Sequence, residues 1–144
     1  MSFGNLGLNK SLLDILEKKN FKAPYPIQEK AIPGIIRGKD VLGIAQTGSG
    51  KTASYVLPIL SSIAIKKGPK NRKIDVLVLV PTRELAQQVK EVFTVFEKGS
   101  LSPIKTIAVY GGVSINPQMK SLYGVSILIA NGCTITTTPA VTIT

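Results

Sequence analysis

A glycine-rich segment, residues 45–52, holds the side chains of this sequence that are best suited to chemistry. It reads Ala-Gln-Thr-Gly-Ser-Gly-Lys-Thr. Gly48 and Gly50 lack a Cβ atom, so the backbone can curl and point successive N–H groups at phosphate oxygens. The ammonium group of Lys51 suits the β- and γ-phosphates of a nucleotide, and the hydroxyl group of Thr52 suits Mg²⁺. The segment therefore predicts a phosphate-binding loop.

The residues on either side of this loop also fit a phosphate-binding role. The apolar run at residues 40–44 predicts a strand that leads into the loop. Residues 50–66 predict a helix, whose positive N-terminal end faces the same anion. Ala45 replaces the first glycine of the usual G-x-x-x-x-G-K-[ST] pattern, which is a mild change if position 45 has a negative φ. The alternative is a chance Gly/Ser/Thr turn with a surface lysine.

Charge is the feature of the overall composition that bears most on function. The 144 residues include 18 lysines and arginines against 8 aspartates and glutamates, a net charge of +10. This length suits a single domain with a real core. The excess of positive charge favours a polyanionic partner, with nucleic acid as the leading candidate and a generic basic surface as the alternative.

Cysteine content and apolar patterning bear on the compartment. Cys133 is the single cysteine in the sequence, which excludes an internal disulfide and fits a reducing environment. The first twenty residues lack the apolar core of a signal peptide. The longest apolar stretch, residues 53–65, is too short to span a bilayer and is interrupted by Pro58. We expect a soluble, cytoplasmic protein.

Along the chain, segments with the hydrophobic spacing of a helix alternate with segments typical of a strand. Helices are predicted at residues 8–19, 26–38, 50–66 and 83–97, and strands at 40–44, 76–80, 105–110 and 125–130. The continuous apolar run at 76–80 is typical of a strand buried on both faces of a parallel sheet. Residues 66–73, rich in Lys, Arg, Gly and Pro, predict a surface loop. The alternation predicts an α/β three-layer domain with a mostly parallel sheet.

Residues 20–28 precede the loop and add a candidate base-binding site. The side-chain amide of Gln28 has both a donor and an acceptor, which can pair with the N6 and N7 edge of adenine. The ring of Phe21 can stack on the base. Alone this pattern is weak, because a phenylalanine and a glutamine near the start of a helix are usually core and surface residues.

Two segments after the predicted strands suit a nucleic-acid backbone. Residues 81–86, Pro-Thr-Arg-Glu-Leu-Ala, open a helix whose free N–H groups, beside Thr82 and Arg83, suit a phosphate. An ordinary helix cap with Arg83 paired to an acid is the alternative. Gly111 and Gly112 follow another strand and allow a second chain to approach the backbone closely.

Taken together, these motifs resemble the amino-terminal part of the first RecA-like domain of bacterial-type DEAD-box ATP-dependent RNA helicases. The resemblance runs from about Phe3 to Ala130. It rests on the Q motif (Phe21, Pro26 and Gln28), motif I (residues 45–52), motif Ia (residues 81–86) and the pair Gly111-Gly112. The fold it implies is an incomplete RecA-like P-loop domain with three layers.

The resemblance also implies a role for each matched position. Phe21 and Gln28 would hold the adenine of ATP. The phosphates would be cradled by Thr47, Gly48, Ser49, Gly50, Lys51 and Thr52, with Lys51 as the catalytic cation and Thr52 as the Mg²⁺ ligand. The RNA sugar-phosphate backbone would be contacted by Pro81, Thr82, Arg83, Gly111 and Gly112. Binding of RNA would then be independent of sequence and sensitive to salt.

The resemblance ends after Ala130, where the family continues with Thr-Pro-Gly-Arg and this chain with Asn131-Gly-Cys-Thr. Residues 1–130 therefore predict a partial helicase domain, and residues 131–144 a threonine-rich tail outside the family pattern. No Asp-Glu-Ala-Asp or Ser-Ala-Thr occurs in the sequence, and the second RecA-like domain expected in the intact protein is absent. The acidic motif organises Mg²⁺ and the attacking water, and arginines of the second domain stabilise the transferring phosphoryl group. We expect this chain alone to bind ATP and RNA without hydrolysis.

Two other functions stay open at this point. One is a non-catalytic nucleic-acid-binding or interfering module that needs no nucleotide. The other is a different P-loop NTPase, such as a transporter ATPase or a small-molecule kinase, in which residues 81–86 are not expected. The incomplete sheet also predicts an exposed apolar edge along residues 41–44 and 76–80.

Overall fold

The computed structural model describes residues 2–65, 74–98 and 103–131. The helices are a short 3-10 helix (Phe3–Leu6), α1 (Lys10–Lys18), α2 (Pro26–Ile36), α3 (Lys51–Ile65), α4 (Arg83–Glu97) and α5 (Ile115–Ser121), and the strands are β1 (Val76–Leu79), β2 (Thr106–Tyr110) and β3 (Ile127–Asn131). The predicted α/β class is confirmed. The predicted loop at 66–73 and the tail after Asn131 lie outside the described residues.

The three strands form one parallel sheet in the order β1-β3-β2. Ile127 of β3 is in register with Val76 of β1 on one side and with Thr106 of β2 on the other. Because all three strands run the same way, their carboxyl ends meet at a single edge of the sheet. That edge carries the segments that follow β1 and β2.

Two hydrophobic cores lie on opposite faces of the sheet. Ile127 and Ile129 of β3 point into the larger core, which includes α1, α3 and α4. Leu128 and Ala130 point into a smaller core with residues of β2. Successive side chains of a strand point to opposite faces, and the alternation along β3 therefore explains why this strand is buried on both sides.

The predicted strand at residues 40–44 is wrong, because this segment has no strand structure. Val41 and Gly43 pack against α2, where a Cβ atom added at Gly34 would lie 3.2 Å from the side chain of Val41. The alternating residues Leu42 and Ile44 are 77% and 85% exposed. A strand requires the backbone of a neighbour, and no described strand pairs with this segment.

The exposed apolar edge predicted along residues 41–44 and 76–80 is not present as a whole, because residues 41–44 form no strand and only β1, of these two segments, lies in the sheet. Leu79 of β1 is 42% exposed, so the expectation that residues 76–80 are buried on both faces is correct only in part. The reason is that β1 lies at the outer position of the sheet and pairs with β3 alone.

Proline does not interrupt the helix predicted at residues 50–66, which is present as α3 over Lys51–Ile65. Pro58 lies inside α3 and is buried, and Pro33 lies inside α2. Proline removes one helical hydrogen bond, and the two proline-containing helices, α2 and α3, pack against each other. In the described ranges, no helix is both long enough and apolar enough to cross a membrane.

Candidate nucleotide and nucleic-acid binding sites

The predicted phosphate loop is curled, as its glycines indicate. Gly48 and Gly50 have φ values of 80° and 82°, in the left-handed region that favours glycine. Asn20 is the one non-glycine residue with a positive φ in the described part of the chain. Ala45 therefore has a negative φ, which satisfies the condition under which alanine is tolerated at the first position of the pattern.

Most backbone amides of the loop are not used internally. The amide of Ser49 donates to the carbonyl oxygen of Gln46 over 3.3 Å, and its hydroxyl donates to the same oxygen over 2.6 Å. Within the described residues, the amides of Gly48, Gly50 and Lys51 donate to no protein acceptor. Because Lys51 is the first residue of α3, the free amides lie at the positive end of this helix.

The ammonium group of Lys51 folds back over the loop. Its Nζ donates to the carbonyl oxygens of Ala45 and Gln46, the latter over 3.1 Å. These acceptors are neutral, whereas a phosphate oxygen is charged and forms a stronger bond with an ammonium group. A polyphosphate that enters the loop can therefore draw Lys51 away from the two carbonyl groups.

Thr52, the predicted metal ligand, hydrogen-bonds with Tyr55 one turn further along α3. Burial raises the pKa of the Tyr55 phenol above its ordinary value of 10.0, and the hydrogen bond with the Thr52 side chain offsets part of that rise. A hydroxyl group that donates its proton to Tyr55 keeps its lone pairs for a cation. The contact with Tyr55 is therefore compatible with metal binding by Thr52.

Gln28 lies beneath the phosphate loop. It is only 2% exposed, its Nε2 donates to the carbonyl oxygen of Gly50 over 3.1 Å, and its Oε1 accepts from the amide of Tyr25 over 3.0 Å. A Cβ atom added at Gly50 would lie 2.4 Å from this Nε2 and 2.9 Å from Cδ2 of Tyr25. Gly50 is thus needed both for the turn and for the contact with Gln28. These two contacts use one of the two protons and one of the two lone pairs of the Gln28 amide.

Phe21, the other predicted adenine contact, is placed elsewhere. It is 41% exposed and meets Phe96 of α4 edge-on, with ring centroids 5.7 Å apart. It also lines a cavity of about 380 Å³ together with Leu16 and Asn20. Gln28 does not line this cavity, so the structure does not bring the two predicted adenine contacts into one pocket.

The five residues predicted to contact nucleic acid are exposed at the carboxyl edge of the sheet. Pro81, Thr82 and Arg83 follow β1, and Gly111 and Gly112 follow β2. Thr82 caps α4, since its hydroxyl oxygen accepts from the amide of Leu85 over 3.1 Å. Gly112 has a φ of 78° and open space around its Cα atom.

A single aromatic ring connects these two segments. The guanidinium group of Arg83 lies over the ring of Tyr110, 5.1 Å from its centroid, a cation–π contact worth about 0.5–1 kcal/mol at an exposed site. The hydroxyl of Tyr110 donates to Oε1 of Gln87 over 2.6 Å. Across the described ranges no carboxylate pairs with Arg83, so the acid-paired alternative is not what the structure has.

Two side-chain amides that the sequence reasoning missed support this edge. Gln118 of α5 bonds to both backbone groups of Tyr110, accepting from its amide over 2.9 Å and donating to its carbonyl oxygen over 3.3 Å. Asn131 donates to the carbonyl oxygen of Val80 over 3.2 Å. The bond from Asn131 has no local sequence signal, because it joins residues 51 positions apart. Gln118 lies only eight residues from Tyr110 and acts across the turn at Gly111 and Gly112.

Comparison with known proteins identifies the family. The family profile described as DEAD/DEAH box helicase matches residues 25–138. The chain belongs to this family. Among its relatives, the DEAD-box ATP-dependent RNA helicase RhpA of Helicobacter pylori is 44% identical over 117 residues, which is 81% of this chain and 22% of RhpA. The helicase DeaD of Buchnera aphidicola is 47% identical over 122 residues, 85% of this chain and 19% of DeaD.

Solved structures agree with this assignment. A DEAD box protein from Methanococcus jannaschii superposes with a TM-score of 0.79 at 33% identity, over 91% of this chain and 34% of that one. The RNA helicase Prp28 of Chaetomium thermophilum, bound to ADP, has a TM-score of 0.76 at 36% identity, over 90% and 32%. The RecA-like fold implied by the motifs is confirmed. The chain spans about a fifth of the length of RhpA and DeaD.

Proposed function

We propose that this chain is the ATP- and RNA-binding part of an ATP-dependent RNA helicase, and that by itself it binds both ligands without hydrolysing ATP. The observation that carries the proposal is the curled loop at residues 47–52, whose free amides and adjoining helix start form an anion-binding surface. Family membership supports ATP as the anion.

In the proposed complex, the free amides of Gly48, Gly50 and Lys51 bond to phosphate oxygens, and the ammonium group of Lys51 exchanges its loop carbonyls for the β- and γ-phosphates. Gln28 holds the loop from below through the carbonyl group of Gly50. Any contact of Gln28 with adenine uses the proton and the lone pair that remain on its amide. Phe21 lines a separate cavity, so the proposed adenine contact rests on Gln28 alone.

Thr52 is the residue that would hold Mg²⁺, which supplies charge neutralisation on the phosphates when bound. No cluster of three or more His, Cys, Asp or Glu side chains occurs in the described parts of the chain. Mg²⁺ commonly keeps several waters and binds through few protein groups together with substrate phosphates. One hydroxyl ligand fits that mode of binding.

RNA is proposed to bind at the carboxyl edge of the sheet. Arg83 offers a guanidinium group that no carboxylate of the described residues neutralises, and Gly112 leaves its backbone open to a close approach. Contacts of this kind reach phosphate and sugar rather than base edges, so they carry no sequence preference. The net charge of +10 adds a general attraction for the polyanion.

Hydrolysis is not expected from these residues alone. Phosphoryl transfer depends on metal ions and cationic groups that stabilise the developing charge, and on a residue that orients the attacking water. The sequence contains no Asp-Glu-Ala-Asp to supply the acidic groups. Lys51 can bind the phosphates without completing that arrangement.

Titration with a fluorescent ATP analogue tests the nucleotide part of the proposal. We expect Lys51→Ala to weaken binding at least tenfold, since a charged hydrogen bond to phosphate is worth about 1.5–3 kcal/mol. Lys18→Ala serves as the matched control, because it removes the same charge from the exposed end of α1. Equal affinities of Lys51→Ala and the parent chain would contradict the proposal.

A second candidate function is a nucleic-acid-binding or interfering module that needs no nucleotide. The basic composition and the un-neutralised Arg83 favour it as much as they favour a helicase fragment. RNA affinity measured at fixed salt with and without ATP separates the two. An affinity that ATP leaves unchanged, with a steep dependence on salt, supports the second function.

A further inference from the structure

Tyr110 occupies a position that the motifs do not account for. It is the last residue of β2 and directly precedes Gly111 and Gly112. Its ring lies under the guanidinium group of Arg83, which opens α4 after a different strand. Through this ring, the two segments proposed to bind RNA touch each other.

The backbone of Tyr110 is held as firmly as its ring. Strand β2 lies at the outer position of the sheet, so its outward N–H and C=O groups face no other strand. At Tyr110 both groups bond instead to the side-chain amide of Gln118, which replaces a neighbouring strand. The same amide also donates to the carbonyl oxygen of Ser114, the N-cap residue of α5, over 3.2 Å.

The tip of the ring is anchored too. The phenolic hydroxyl of Tyr110 donates to Gln87, one turn along α4 from Arg83. The ring is therefore fixed at its backbone by α5 and at its hydroxyl by α4. A ring fixed at both ends restricts the conformations of the flexible arginine side chain that rests on it.

We propose that Tyr110 is a positioning residue for RNA binding, which holds the guanidinium group of Arg83 beside the Gly111-Gly112 turn so that one backbone phosphate meets both. The inference rests on the proposed role of Arg83 in binding RNA. An aromatic ring suits this task better than a carboxylate does, because it orders the cation without neutralising it. Ordering before binding also lowers the entropy cost of the contact.

The test is the salt dependence of binding to a single-stranded oligouridine, measured by fluorescence anisotropy. We expect both Arg83→Ala and Tyr110→Leu to lower the magnitude of the slope of log K against log salt by about 0.7, the contribution of one phosphate contact to a single strand. Tyr110→Leu should also weaken binding about two- to fivefold, equivalent to the cation–π contact.

A double variant separates positioning from a general loss of structure. If Tyr110 acts through Arg83, then Tyr110→Leu combined with Arg83→Ala should bind no more weakly than Arg83→Ala alone. Tyr110→Phe keeps the ring beneath Arg83 and loses only the bond to Gln87, so it should retain most of the slope of the parent chain. Tyr123→Leu, which removes another exposed tyrosine, controls for a loss of surface aromatic area. If Tyr110→Leu fails to fold, Tyr110→Val removes the ring while keeping a residue that favours strands.

The outcomes distinguish this inference from the function on which it rests. If Arg83→Ala leaves affinity and slope unchanged, the RNA-binding role of Arg83 is wrong, and the inference falls with it. If Arg83→Ala weakens binding but the tyrosine variants do not, or if the two losses add, the inference alone is wrong. The inference is supported if Arg83→Ala and Tyr110→Leu both lower the slope of log K against log salt and Tyr110→Phe does not.

Discussion

The phosphate loop and the carboxyl edge of the sheet each hold a cation, and they do so in different ways. Lys51 lies against carbonyl oxygens of its own loop, whereas Arg83 lies against the face of an aromatic ring. To bind phosphate, Lys51 must give up its hydrogen bonds to neutral carbonyl groups. Arg83 keeps all its hydrogen-bond donors available, since a ring contact uses none of them.

The two regions also differ in how much of the core they involve. Gly50 and the buried Gln28 form a packed unit beneath the loop, so a change there should disturb folding as well as binding. Arg83 and Thr82 are exposed at the start of α4. A change at the sheet edge should therefore affect binding more than stability, and the following substitutions test this difference.

Gly50→Ala is expected to have the largest effect. The new methyl group would lie 2.4 Å from Nε2 of Gln28, and the φ of 82° is strained for any residue with a Cβ atom. We expect a loss of about 2–4 kcal/mol in the free energy of unfolding, measured by urea denaturation. Gly48→Ala is the matched control, because it has a φ of 80° but nothing within 4 Å of the new methyl group. Equal losses for the two variants would show that the contact with Gln28 is unimportant.

Thr82→Ala is expected to have an intermediate effect on stability. It removes the hydroxyl oxygen that accepts from the amide of Leu85 and so leaves the start of α4 without its cap. We expect about 1 kcal/mol of destabilisation, and Thr82→Ser should recover most of it. Urea denaturation of the three chains gives the comparison. A loss as large as that of Gly50→Ala would contradict the distinction between a packed loop and an exposed edge.

Local sequence patterns predicted the helices and strands whose signal lies within their own residues. The amphipathic period of residues 83–97 matches the observed bounds of α4, and three of the four predicted strands are present. The failure at residues 40–44 has a physical cause, because a strand is defined by a neighbour as well as by its own residues. An apolar run alone does not show whether that neighbour exists.

The curled backbone of the candidate site could be predicted from the sequence, but its side-chain connections could not. The glycines of residues 48–50 indicate the positive φ values that the structure has, since each acts through its own backbone. The contact between Gln28 and Gly50, by contrast, joins positions 22 residues apart. The bonds from Gln118 and Gln87 to Tyr110 depend likewise on how α5 and α4 pack beside β2. Only the folded chain brings these residues together.

Tyr55→Phe is expected to have the smallest effect at neutral pH and a distinct effect in alkali. Burial raises the pKa of Tyr55, so the native state retains its proton at pH values where the unfolded chain has lost it. The protonated phenol therefore makes its full contribution to stability below pH 10, and this contribution is lost as the pH rises through the folded-state pKa. Tyr55→Phe should cost about 0.5 kcal/mol at pH 7, the low end of the net value of one hydrogen bond.

The decisive measurement for Tyr55 is the difference in unfolding free energy between the two chains, followed from pH 8 to pH 11. Because phenylalanine has no proton to lose, the parent chain should lose stability relative to Tyr55→Phe above pH 10. If the difference in unfolding free energy stays constant over this range, the pKa of Tyr55 is the same in the folded and unfolded chains. Such a result would also mean that the Tyr55 hydroxyl is better hydrated in the folded chain than its burial indicates.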